Sequence, residues 1–259
     1  MKLNLIIILI ALNINMLKAQ NKDFKQFKSI EWDKTILQNN AEFKNRESVN
    51  YGSSFLIKLD TTIIACTARD LIGTHYTRDK MLSLKDFPNE LISWKMSILN
   101  STSDYVTVKS IYNEKRIEKK LFILSLSYPF LTFKIEQNNN KIETLVPDVN
   151  PIKNKSNVYI AGYDNENNLQ LIQGVVETYD NSKYAKSEIR IKTKKYLNDS
   201  NFIGSPIVNI EGKVIGVFNR AYALKKEKIK FPKKESLESY EYFVNGTTMR
   251  QVLGKNYSK

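Results

Sequence analysis

The residues Asn201 to Asn219 read NFIGSPIVNIEGKVIGVFN, two apolar runs either side of a short turn signal. Ile207, Val208 and Ile210 form the first run, and Val214, Ile215, Val217 and Phe218 form the second. Glu211-Gly212-Lys213 between them has the length and composition of a tight hairpin turn. Gly204-Ser205-Pro206 stands ahead of the first run, where proline can open a strand but cannot sit inside one. The stretch therefore predicts a buried hairpin, entered through a loop in which the backbone approaches its neighbours closely at Gly204.

The same pattern recurs upstream. From Tyr51 to Ala68 the chain reads YGSSFLIKLDTTIIACTA, two apolar runs about a polar turn at Asp60-Thr61. WKMSIL, DYVTVKSIY and KKLFILSLS follow as alternating segments between 91 and 127. Later come VYIAGY (158–163), a polar turn at 164–168, LQLIQGVVETY and SEIRIKT. Strands at this density, with turn residues between them, predict an all-β chain. Phe24, Phe27, Ile30, Trp32 and Ile36 are spaced as on a short amphipathic helix leading into the first sheet. Ala221 to Ser239 is lysine-rich and reads as an exposed loop, and Thr247 or Thr248 is placed to cap a final helix that turns Met249, Val252 and Leu253 inward.

Several of these segments resemble the trypsin-like serine peptidases. Gly204-Ser205-Pro206, the apolar strand, the glycine turn and Val214-Ile215-Gly216-Val217 resemble the region around that family's nucleophile, Gly-x-Ser-Gly-Ser-Pro. Tyr51 to Ala68 resembles its early hairpin, and VYIAGY resembles the strand that opens its second barrel. The resemblance covers about Tyr51 to Leu253. It implies two six-stranded β-barrels with a short C-terminal helix: a lead segment over 20–48, a first barrel over 49–137, a crossover over 138–155, a second barrel over 156–245, and a helix and tail over 246–259.

The resemblance also implies where a catalytic triad would stand, and none of its residue types is there. Ile203 falls at the nucleophile, and a hydrocarbon has no lone pair to offer a carbonyl carbon. Asp70, after Thr67-Ala68-Arg69, falls at the general-base histidine, and Lys120, before Leu121-Phe122-Ile123-Leu124, falls at the aspartate that orients it. Asp70 and Lys120 would then oppose each other as an ion pair of exchanged sign. The expectation is an inactive peptidase homologue, a pseudopeptidase, that binds a peptide or protein in the cleft between the barrels. The alternative enzyme, a divergent serine endopeptidase, would draw on His75, the only histidine, with Ser200 or Ser205. Asn201 and the residues before Gly204 would disturb an oxyanion hole built around Ser200.

Composition limits the remaining classes. Lys2 followed by the apolar run Leu3 to Leu12 and a cleavage point at Ala19 reads as a signal peptide over 1–19, with an uncleaved anchor as the alternative. No cysteine stands at the cleavage point for a bacterial lipoprotein anchor, so a secreted or periplasmic chain without a transmembrane anchor is expected. The net charge is +13, from 40 Lys and Arg against 27 Asp and Glu. The excess is spread along the chain without a zinc-knuckle, helix-turn-helix or aromatic-interleaved motif, which excludes a recognisable nucleic-acid module. A cationic protein that binds an anionic envelope is the third reading. One His and one Cys cannot build the usual zinc site, and no glycine-rich phosphate loop is present, so no metal or cofactor is expected. Cys66, inside IIACTA, reads as a small buried hydrophobe.

Overall fold

The computed structural model describes residues 27–72, 82, 86–112, 130–136, 141–177, 188–195, 197, 200–225 and 240–253. Among the described residues, thirteen strands carry the fold. In the first half these are β1 (Leu37–Phe43), β2 (Ser53–Leu59), β3 (Thr62–Ala68), β4 (Leu91–Ile98), β5 (Tyr105–Ile111), β6 (Phe130–Ile135) and β7 (Thr144–Leu145). The second half holds β8 (Asn157–Tyr163), β9 (Leu169–Glu177), β10 (Glu188–Thr193), β11 (Pro206–Asn209), β12 (Val214–Lys225) and β13 (Tyr240–Thr248). Short helices, among them α1 (Trp32–Thr35), α2 (Phe87–Glu90) and α3 (Met249–Leu253), sit at the edges.

The strands close into two six-stranded barrels, as the resemblance implies. The first runs β1-β4-β5-β6-β3-β2 and is shut by Leu37 against Ser54 and Gln38 against Ser53. The second runs β10-β13-β12-β11-β8-β9 and closes through β9 with β10. Both sequence hairpins are present: β2 pairs with β3 about Asp60, and β11 pairs with β12 about Gly212. Asp60 and Gly212 have φ of 47° and 77°, the left-handed backbone that tight turns between twisted strands demand.

The apolar material divides into three cores. One fills the first barrel, around Trp94, Phe133, Phe87 and Phe43. One fills the second, around Phe202, Phe218, Ile207 and Ile191. The third lies between them: Phe55, Ile57, Ile64 and Cys66 from the first barrel meet Val208, Val214 and Val217 from the second. Phe27, Trp32 and Ile36 seal it on one side, and Met249, Val252 and Leu253 of α3 complete it. Strands beside this seam are buried on both faces, β2 having Leu56 inside the barrel and Phe55 and Ile57 on the seam. That is why SFLIKL, IIACTA and PIVN read as nearly continuous apolar runs where alternation would mark a half-exposed strand.

Three boundaries differ from the sequence reading. The first barrel begins inside the segment read as a lead: β1 spans Leu37–Phe43, and α1 stands just ahead of it. The crossover is partly strand, since β7 pairs in parallel with β2 and Asp148 N–H donates to Val214 O at 2.7 Å. Ala221 to Lys225, read as the start of an exposed loop, extends β12 and pairs with Tyr240 to Val244. Cys66 is fully buried, and burial pushes its thiol far up, which suits a packing role. Among the described residues, no helix is long and apolar enough to cross a membrane.

Candidate functional site at the barrel junction

The site is organised by Gly204. Its φ is +90°, and a Cβ added there would lie 2.1 Å from Ser53 O and 2.3 Å from Thr67 Oγ1. Its amide donates to Phe218 O of β12 at 2.9 Å. Only a residue without a side chain lets the second barrel come this close to the backbone of the first. Ser53 supplies the matching contacts from β2: its N–H donates to Ile203 O at 2.7 Å, its Oγ donates to Asn201 O at 2.7 Å, and its O accepts from Thr67 Oγ1 at 2.6 Å. A short 3-10 turn, Ser200–Phe202, leads into Gly204 and rests on β8.

Ile203 is therefore held at the junction itself. Its half-buried side chain packs against all three cores. Its amide donates back to Ser200 O at 3.2 Å, and the amide of Ser205 donates to Phe202 O at 2.9 Å. The amides of Ile203, Gly204 and Ser205 are thus all spent within the fold.

A charged cluster flanks this turn. β3 ends at Ala68, whose amide lies 3.1 Å from the Cβ position of Gly204, and continues into a 3-10 turn, Arg69–Ile72. Asp70 in that turn is half-buried, and its burial pushes the carboxyl above the ordinary value while Arg220 and then Arg69 draw it back down. Arg220 comes from β12 of the other barrel, which packs against β3. It follows a bulge between Phe218 and Arg220 that leaves Asn219 as the extra residue and re-aims the next side chain. Arg69 is 5% exposed; burial pulls its guanidinium down while Asp70 opposes that, and its Nη1 has no hydrogen-bond partner.

The other candidates separate. Ser200 is exposed in its turn. Ser205 is 0% exposed, and its Oγ has no partner and lies beside Phe202 and the backbone of Gly162, where no substrate reaches it. Lys120 and His75 lie outside the described residues, and with them the expected Asp70–Lys120 pair. The cations shown to act on Asp70 are Arg220 and Arg69, neither of which the sequence reading had singled out. Arg69 carried a signal, being a charge at the end of the apolar strand IIACTA. Arg220 carried none, because its relation to Asp70 exists only across the two barrels. Among the described residues, no group of three or more His, Cys, Asp and Glu side chains is arranged to hold a metal ion.

No protein-family model matches the chain, and no curated protein matches it. Solved structures do. The chain is similar to a thermostable serine protease, AL20, from an extremophilic microorganism, with a TM-score of 0.54 at 10% identity over 87% of this chain and 97% of that one. It is also similar to the active form of the Rv3671c protease from M. tuberculosis (TM-score 0.49, 13% identity, 86% and 79% covered) and to Deg5 (TM-score 0.49, 16% identity, 78% and 86% covered). Identity this low speaks for the path of the backbone and leaves the chemistry to this chain's own residues. With both barrels closed and AL20 matched over nearly its whole length, the chain has the trypsin-like serine-protease fold.

Proposed function

We propose that this chain is an exported, non-catalytic protein that keeps the cleft of a peptidase fold as a peptide-binding surface. The observation that carries the reading is Ile203, which occupies the turn between the barrels with a hydrocarbon side chain packed on three cores. Acyl transfer needs a nucleophile and, for the developing oxyanion, backbone donors aimed outward. The Ile203 amide is instead turned back onto Ser200 O. Asp70, which the resemblance sets at the general-base position, is a carboxyl in place of an imidazole, and burial raises it above its ordinary value by more than Arg220 and Arg69 draw it down. A cleft without this chemistry still suits an extended peptide, which binds through its main chain and places alternate side chains in pockets. Export is supported by Lys2, the apolar run Leu3 to Leu12 and the small residue Ala19.

The test is incubation of the mature chain with a fluorophosphonate probe and with a mixed peptide library, read by mass spectrometry. The expected result is no adduct, no cleavage and selective retention of a subset of peptides. An adduct on Ser200 together with cleavage would establish a divergent endopeptidase. Absence of any retained peptide would remove the cleft as the functional surface.

A further inference from the structure

We infer that the outer face of β9, at Leu171 and Val175, is the docking surface for this chain's own N-terminal segment, residues 20–26, with Phe24 as the side chain that covers it. The inference does not depend on peptide binding. Its first support is the path of the chain. The described residues begin at Phe27, which is already seated on the second barrel. A Cβ at Gly212, in the turn between β11 and β12, would lie 2.5 Å from Ile30 Cδ1 and 3.5 Å from Phe27 Cα. The ring of Phe27 then reaches Tyr159 of β8, with the centroids 4.5 Å apart. Traced backwards, the contacts move from the β11–β12 turn onto β8, and the next strand in barrel order is β9.

The surface met there is the second support. Val158 and Ile160 point into the barrel, so Tyr159 between them points outward. Opposite Tyr159 on β9 stands Gln173, and two residues to either side stand Leu171 and Val175. These two apolar side chains are 40% and 36% exposed, on one side of one strand and one strand away from the Phe27–Tyr159 contact. Length and periodicity agree with this placement. Phe27 and Lys28 have helical backbone. Three further residues of helix span about 4.5 Å, close to the roughly 4.8 Å between neighbouring strands. The same three-residue step returns Phe24 to the side of Phe27. Docking takes the Phe24 ring and the two β9 side chains out of water together. A second copy is the weaker occupant, because two chains of charge +13 repel each other.

The experiment is limited trypsin digestion of the mature chain, with cleavage after Lys22 and Lys25 timed by mass spectrometry. Docking should protect both bonds. Leu171→Ser with Val175→Ser should speed their cleavage about tenfold, the effect of losing one well-packed apolar contact. Phe24→Ser should do the same, and adding it to the β9 pair should give no further increase. Ile92→Ser, at a side chain 59% exposed on β4 of the first barrel, should leave the rate unchanged. Cleavage indifferent to the β9 substitutions overturns the docking, as does a fully additive effect of Phe24→Ser. Protection that grows with protein concentration, alongside a dimer in sedimentation, also overturns it and assigns the face to a second copy.

Discussion

At the scale of single residues, the junction turns on which positions tolerate a side chain. Gly204 and Gly212 both have positive φ, but their surroundings differ. A Cβ at Gly204 meets the backbone oxygen Ser53 O at 2.1 Å, whereas at Gly212 it meets the end of a side chain, Ile30 Cδ1, at 2.5 Å. Backbone cannot yield as a side-chain methyl can. Gly204→Ala should therefore cost about 3 kcal/mol or more, and Gly212→Ala about 1–2 kcal/mol, as measured by urea denaturation. Equal losses would mean that φ alone sets the penalty and that the barrels can part at Gly204 without strain. Ile203 could be read from the sequence as a non-nucleophile because residue type is enough for that. Its contact with three cores could not.

Elements show the same division. The two hairpins were legible because Asp60-Thr61 and Glu211-Gly212-Lys213 are local turn chemistry, and the strands beside them are strongly apolar. β1 was not, because LQNNAEF places Asn39 where a strand's inward side would be expected to carry a hydrophobe. Asn39 is 2% exposed and is fully used: its Oδ1 accepts from Trp94 Nε1 at 3.0 Å, and its Nδ2 donates to Gly52 O at 3.1 Å. The buried asparagine thus ties β1 to β4 and to the start of β2, and Trp94 can sit in the aromatic core beside Phe133 at 4.9 Å without an orphaned N–H. Asn39→Ala should lower stability by about 1–3 kcal/mol. Trp94→Phe made in that background should cost clearly less than in the parent, which a double-mutant cycle measures. Simple additivity would show that the hydrogen bond contributes nothing to holding β1.

For the molecule as a whole, the charged cluster links the barrels and gives stability a pH dependence. Burial raises the Asp70 carboxyl above its ordinary value of 3.8, by more than Arg220 and Arg69 lower it. A carboxyl raised on folding favours the folded state most below its unfolded value, and that contribution is lost as pH rises through the folded value. Asp70→Asn keeps a neutral group at every pH. The variant should melt at a higher temperature than the parent near neutrality, and the gap should close as pH falls below about 3.8. A lower melting temperature at neutral pH would show that pairing with Arg220 outweighs the burial of Asp70.

Turns, strand hydrophobicity and the burial of Cys66 follow from the order of residues over short windows, because φ preferences and the two-residue period of a strand act locally. By resemblance alone, the same windows set Ile203 and Asp70 against the positions of a peptidase's serine and histidine. Closure of the barrels belongs to the fold. It drew β1 out of a polar segment, carried β12 past Phe218 as a strand, and brought Arg220 up to Asp70 from the far half of the chain. Those relations depend on register and on the close approach at Gly204, and no run of neighbouring residues contains both sides of them.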